Sequence, residues 1–161
     1  MLQVFHTGLT PGLHSLESWN EPSLWTDGYR DFEQVRRCLF FAQDIFGLQF
    51  CLHEDRVALF DPETAAVEPF AASIEEWAQR LLVDHDVLCG TSLAEQWEAS
   101  GEALPPGTRL IPKIPFVAGG SFELSNLYAG EIVAAMRFRA SIAKQIRDLP
   151  DGAKVRLVIG S

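Results

Sequence analysis

Residues 38–60, CLFFAQDIFGLQFCLHEDRVALF, decide the fold. An apolar run from Cys38 to Ala42 reads as a strand and stops at the turn Asp44 to Gly47. Leu48, Phe50 and Leu52 then alternate with Gln49, Cys51 and His53, the period-two pattern of a strand that buries one face. His53, Glu54, Asp55 and Arg56 form a second polar turn, Val57 to Phe60 a third strand, and Asp61, Pro62, Glu63 and Thr64 punctuate the chain before Val67. Short strands joined by tight turns predict an antiparallel meander.

Downstream, Ser73 followed by Glu76 has the spacing of a capping box, so a helix is predicted to start there. Ile74, Trp77, Ala78, Leu81 and Leu82 fall on one helical stripe, with Glu75, Glu76, Gln79 and Arg80 on the outer face. Ser92 with Glu95 repeats the capping signal ahead of Leu93, Ala94 and Trp97, and Pro105, Pro106 and Gly107 break the chain. Arg109 to Val117 reads as an extended segment whose prolines suit an edge, paired in a hairpin with the Phe122 and Leu124 segment across Gly119 and Gly120. Residues 129–149 read as a helix in two pieces that gathers Phe138, Ile142, Ile146 and Leu149 and turns Arg139, Lys144 and Arg147 to solvent. Pro150 to Gly152 then leads into a last strand, Val155, Leu157 and Ile159. Upstream, residues 1–28 read as an irregular arm, rich in turn residues, ahead of a single domain over 29–161. Its Trp19 and Trp25, with Tyr29 and Phe32, admit two readings: rings that cover one end of the sheet, or rings left for a partner.

The 161 residues are 47% apolar and 22% charged, enough to bury a core without disulfides or metal. No apolar run reaches the roughly 20 residues of a membrane span, and no secretory signal is apparent, so a cytoplasmic protein with no membrane contact is expected. The net charge of −9 argues against direct nucleic-acid binding, which needs clustered cations. Residues 1–100 carry −12 and residues 101–161 carry +3, so an acidic face for a basic partner is one reading and an ordinary solvated surface the other. Cys38, Cys51 and Cys89 have no metal or disulfide spacing, and His6, His14, His53 and His85 lie far apart, so neither a metal nor another cofactor is expected. No nucleophile elbow, phosphate loop or dinucleotide fingerprint occurs, and no catalytic residue is assigned.

A set of short motifs, Phe41-Ala42-x-Asp44-x-Phe46-Gly47-x-Gln49-Phe50, Phe60-Asp61-x-Glu63-Thr64, the Trp77 helix, Pro112-Lys113-x-Pro115-Phe116-Val117-x-Gly119-Gly120, Asn126-Leu127 and Gln145-Ile146-x-Asp148-Leu149-Pro150-Asp151-Gly152, resembles in its order the Smi/Knr-like members of the SUKH superfamily. The resemblance runs from about Tyr29 to the end and rests on turn and core positions. It implies an α+β fold, a central, mostly antiparallel sheet flanked by helices. It also implies a binding role without catalysis, in bacteria most often that of an immunity protein that neutralises a toxin domain, such as a nuclease, by direct contact. The irregular first 28 residues depart from the amphipathic helix with which many such proteins begin.

Under this reading Asp44, Glu54, Asp55, Asp61 and Glu63, all in turns of the meander, are the candidate contacts for a basic toxin partner. The alternative is a regulatory scaffold or small-ligand module, in which the Pro112 to Gly120 segment lines a pocket and Arg109 and Lys113 meet an anion.

Overall fold

The meander forms where the apolar alternation marks it and gains a strand on each side. In the computed structural model, which describes residues 2–8, 11–150 and 152–153, β1 (Gln3–Val4) and helix α1 (Leu16–Trp19) precede β2 (Leu39–Gln43), β3 (Gln49–His53), β4 (Arg56–Phe60) and β5 (Val67–Ala71). These five strands make one antiparallel sheet in chain order. Helices α2 (Ile74–Val83), α3 (His85–Cys89) and α4 (Thr91–Ala99) follow, then an antiparallel pair, β6 (Thr108–Pro112) with β7 (Leu127–Glu131), and finally α5 (Ile132–Ile146). The fold is α+β, a central antiparallel sheet flanked by helices, as expected.

Both faces of the sheet are covered, where the alternation predicted one. Phe40, Cys51, Ala58 and Phe60 face a core built from the amino-terminal segment and α5, while Ala42, Phe50 and Val57 face Trp77, Leu81 and Cys89 of the α2–α3 layer. Gln49 and Cys51, read as outward, are therefore buried, and Leu52 is exposed at the strand end. A third cluster, Ile45, Phe46, Ala94, Leu110 and Leu127, joins the sheet's end to α4 and the β6–β7 pair.

The amino-terminal segment belongs to the core. Trp19, Trp25 and Tyr29 are fully buried, and Trp25 lies 4.8 Å from Phe40 and 6.1 Å from Phe60. Aromatic rings of this size dominate core energetics, and each fully buried one contributes roughly 1.5–3 kcal/mol. The arm thus covers the sheet, and its rings are withdrawn from any partner. Irregular stretches remain between its short elements, and β1 pairs with β2 through Gln3↔Gln43 and Val4↔Ala42.

Helix α2 starts at its predicted cap, the Ser73 side chain accepting from the Glu76 amide at 3.2 Å. The reciprocal bond is offset by one residue, since Glu76 Oε2 accepts from the Ala72 amide at 2.8 Å. Ile74 and Leu82, expected on the buried stripe, are exposed. Ser92 is not a cap: Gly90, at φ 65°, ends α3 and opens α4, and the Ser92 amide donates to Asp86 Oδ1. The partner of β6 is β7 and not the Phe122 to Leu124 segment. Residues 132–146 are one helix, in which Arg139 is buried, not solvated. The expected strand Val155, Leu157 and Ile159 lies outside the described residues. Among the described residues no helix is long and apolar enough to cross a membrane.

Candidate functional site

Three motif segments converge at one end of the sheet, around a residue that the motifs do not contain. Arg139 projects from α5 between the β2–β3 turn, the β4–β5 loop and the excursion between β6 and β7. Its Nη1 donates to the Phe46 carbonyl at 2.7 Å, and its Nε stands 3.7 Å from Glu63 Oε1. Glu63 Oε2 in turn accepts from the Val117 amide at 2.8 Å, so one carboxylate ties the β4–β5 loop to the excursion. The Tyr29 hydroxyl, 2.7 Å from the Pro62 carbonyl and 3.2 Å from that of Met136, adds the amino-terminal segment to the same junction.

Local chemistry explains each turn. Asp44 Oδ1 accepts from the amides of Phe46 and Leu48, both at 2.8 Å, and Asp61 Oδ1 accepts from Glu63 at 2.8 Å, the Asx geometry by which aspartate closes a turn. Asn126 organises the excursion. Its Oδ1 accepts from the Ile114 amide at 2.9 Å and its Nδ2 donates to the carbonyls of Ile114 and Ser121. Phe116 and Phe122 stack at 3.9 Å, and Phe46 meets both edge-on. These rings, with Leu48, Asp61, Pro62, Glu63 and Arg139, line a cleft of about 90 Å³.

Burial sets the electrostatics here. Desolvation raises the Asp44 carboxyl to about 6, against the amides of Leu48 and Phe46 and the charge of Arg139. Desolvation likewise raises Glu63, opposed by the Val117 amide and Arg139. Arg109, expected to meet an anion, is buried and pulled down to about 10 by desolvation. Its donors go to Gln3 Oε1 and the Thr108 carbonyl. Lys113 is exposed and donates to the Ser125 carbonyl at 2.8 Å.

The five acidic candidates do not share a face. Asp44 and Glu63 are buried and serve the junction, which removes them from partner contact. Asp61 is half-buried at the mouth of the cleft. Glu54 and Asp55 are exposed, in left-handed conformations at φ 50° and 60°, at the opposite end of β3 and β4. A five-residue strand, roughly 16 Å, separates these two groups.

The larger acidic surface lies on the helical layer. Between Glu54 and Gly107 there are twelve Asp and Glu against Arg56 and Arg80. Glu75, Asp84, Asp86, Glu95 and Glu98 of α2–α4 and its junctions are exposed, on the side of the sheet opposite α5. Helix α5 carries Arg137, Arg139 and Lys144 and no acid. The amino-terminal segment packed with α5 adds five exposed acids, Glu17, Glu21, Asp27, Asp31 and Glu33, against Arg30, Arg36 and Arg37, and Arg139 is buried against Glu63. The α5 side is therefore nearly balanced, and the α2–α4 side is the more acidic.

Two features escaped the sequence reading. Arg139 occupies the stripe Ile132, Ala135, Met136, Arg139, Ala140 and Ala143, and an arginine on an apolar stripe was the available signal. Leu82, Val83 and Val87 are among the most exposed apolar residues described, and Val83 and Val87 stand next to acids in the sequence.

Among the described residues no three His, Cys, Asp or Glu side chains are grouped to hold a metal ion. Compared with known proteins, the chain matches no family model, no curated protein and no solved structure.

Proposed function

We propose that this chain is a non-enzymatic cytoplasmic binding protein of the SUKH immunity type, which neutralises a basic bacterial toxin domain by occupying it with an acidic face. The excess of acid on one side of the sheet carries this reading: twelve acids against two arginines between Glu54 and Gly107, displayed mainly on the α2–α4 side. A nuclease domain must present cations to phosphate, and an acidic protein surface competes in the same field and speeds its own association. Of the acidic turn residues, Glu54 and Asp55 keep the exposure such a role needs, and Asp61 is half-buried. The fold agrees with the one the resemblance implies, and the buried Arg139–Glu63 pair is spent on loop architecture.

The small-ligand reading is weaker. The cleft beside Phe116 encloses about 90 Å³, against the roughly 300–1,000 Å³ of typical ligand sites. Arg109, one of its two expected anion contacts, is buried and already hydrogen-bonded.

The test is affinity capture from lysate of the source cells, followed by expression of the captured protein with and without this chain. One basic protein held in near-equal amount, whose expression arrests growth unless this chain is co-expressed, supports the proposal. Association should slow toward about 1 M salt, where the screening length is about 3 Å. Capture of an acidic protein, or growth arrest that co-expression leaves intact, overturns it.

A further inference from the structure

Helix α2 ends in three apolar residues, Leu81, Leu82 and Val83, of which a helix packed on one face can bury only part. Leu81 is buried against the sheet, and Leu82 and Val83 are left 83% and 86% exposed. Asp84 breaks the helix at φ −138°, α3 begins at His85, and Val87 is exposed to 78%. Three large aliphatic side chains within six residues are thus almost wholly in water. Exposed apolar side chains grouped in one short segment and rimmed by polar residues are the kind of feature that marks an interaction site.

The surroundings of the patch are charged. Asp84 and Asp86 lie between Val83 and Val87, and both are exposed. Beside Val83 runs an open groove of about 460 Å³ with Phe70, Val83 and Leu88 as its apolar wall and Glu76, Arg80 and Asp84 among its polar lining. Its chemistry suits a long cationic side chain, which lays an alkyl stem on apolar surface and holds its charged head toward a carboxylate. Arg80 of this chain already does so, with its guanidinium 5.4 Å from the Phe70 ring centroid and 2.6 Å from Glu76 Oε1.

We infer that the α2–α3 junction, centred on Leu82, Val83 and Val87 and rimmed by Asp84 and Asp86, is the docking surface for a basic protein partner with an apolar centre. This rests on the proposed function and locates its contact. Charge decides between occupants. A second copy docked here by a two-fold axis would bring its own Asp84 and Asp86 against this pair, whereas a surface bearing Lys and Arg around an apolar centre complements both parts of the patch.

The experiment places the photo-crosslinker benzoylphenylalanine in the full chain at one position at a time, as Val83→benzoylphenylalanine, Asp55→benzoylphenylalanine or Phe138→benzoylphenylalanine, in lysate of the source cells. The expected result is a crosslink from position 83 to a protein with a surplus of Lys and Arg, at least about tenfold stronger than from 138. In parallel, Leu82→Ser/Val83→Ser/Val87→Ser should speed dissociation of that protein about tenfold or more while leaving the melting temperature unchanged, because these side chains bury little in the chain itself. A basic protein crosslinked from 55 and not from 83, and released no faster by the triple variant, overturns the docking surface and leaves the proposed function standing. A second copy, or residues 154–161 of the same chain, crosslinked from 83 overturns the assignment of the occupant. An acidic protein, or no protein, from all three positions overturns both.

Discussion

Arg139 and Glu63 stand 3.7 Å apart with 3% and 5% of their side chains exposed, an ion pair made in a place that water has left. Taking two charges out of water is costly, and the Phe46 carbonyl and Val117 amide offset part of that cost with one hydrogen bond each, while Arg139 Nε, 3.7 Å from the carboxylate, makes none. The pair joins α5 to two loops that are 54 residues apart in sequence at Glu63 and Val117.

Removing one partner should therefore cost more than removing both. Arg139→Met leaves Glu63 buried without its cation and is expected to lose about 3–5 kcal/mol of stability. Adding Glu63→Gln to Arg139→Met should recover part of that loss, because Gln keeps an acceptor for Val117 and carries no charge. Urea unfolding of the two single variants and the double variant checks the coupling, and strictly additive losses would refute it.

Asp44 makes stability fall as pH rises. Its folded value, about 6, lies above the ordinary 3.8, so between these the folded state holds a proton that the unfolded chain has released. The Asp44 contribution is complete below about pH 4 and is lost through pH 6, with a total near 3 kcal/mol. Asp44→Asn keeps an acceptor for Phe46 and Leu48 and should remove this part of the profile, becoming more stable than the parent above pH 7. Chemical denaturation from pH 4 to pH 8, compared between parent and variant, measures the difference, and parallel profiles would contradict it.

Gly119 and Gly120 look alike in sequence and should respond differently. Gly119 sits at φ +89° with open space around it, so Gly119→Ala is expected to cost about 1 kcal/mol of backbone strain. A Cβ on Gly120 would fall 1.9 Å from the Ile114 carbonyl oxygen, and that backbone is held by Asn126. Gly120→Ala must displace the excursion and should cost clearly more. Thermal melts rank the two, and an equal or reversed order would count against the clamp.

The amino-terminal segment, buried in the core, is expected to be needed for folding. Trp25→Ala should lose about 3–5 kcal/mol, in line with large core truncations. A chain starting at Tyr29 lacks Trp19 and Trp25 and should show no cooperative melt. A native-like circular dichroism spectrum and transition for residues 29–161 would restore the expected domain boundary.

The parts of the fold that were legible in sequence are those fixed by local chemistry. The β2–β3 and β4–β5 turns carry aspartates that bond amides two to four residues on, and the strands form between them at the apolar runs. What was hidden depends on distant partners. Gln49 is buried because the Trp19 indole donates to it at 2.9 Å, and no local pattern announces a donor 30 residues away. The hairpin expected across Gly119 and Gly120 does not form because the Asn126 amide takes both backbone groups of Ile114, as a strand partner would. The Ser92 signal misled for a similar reason, as Asp86 had already supplied the acceptor. For the candidate site, the turns that carry Asp44, Asp61 and Glu63 were visible, but their burial was not, since it is imposed by α5 and the excursion.

Tyr29 reaches Met136 across 107 residues, and this has a consequence for the order in which the protein can be made. The aromatic cluster of Trp19, Trp25 and Tyr29 leaves the ribosome before the sheet that it covers, and well before α5. During synthesis those rings have no native surface to join, and their apolar area stays exposed to water until the sheet and the helix arrive. A delay between β5 and α5, from slow codons or a stalled ribosome, should therefore lower the yield of folded protein more than an equal delay after α5.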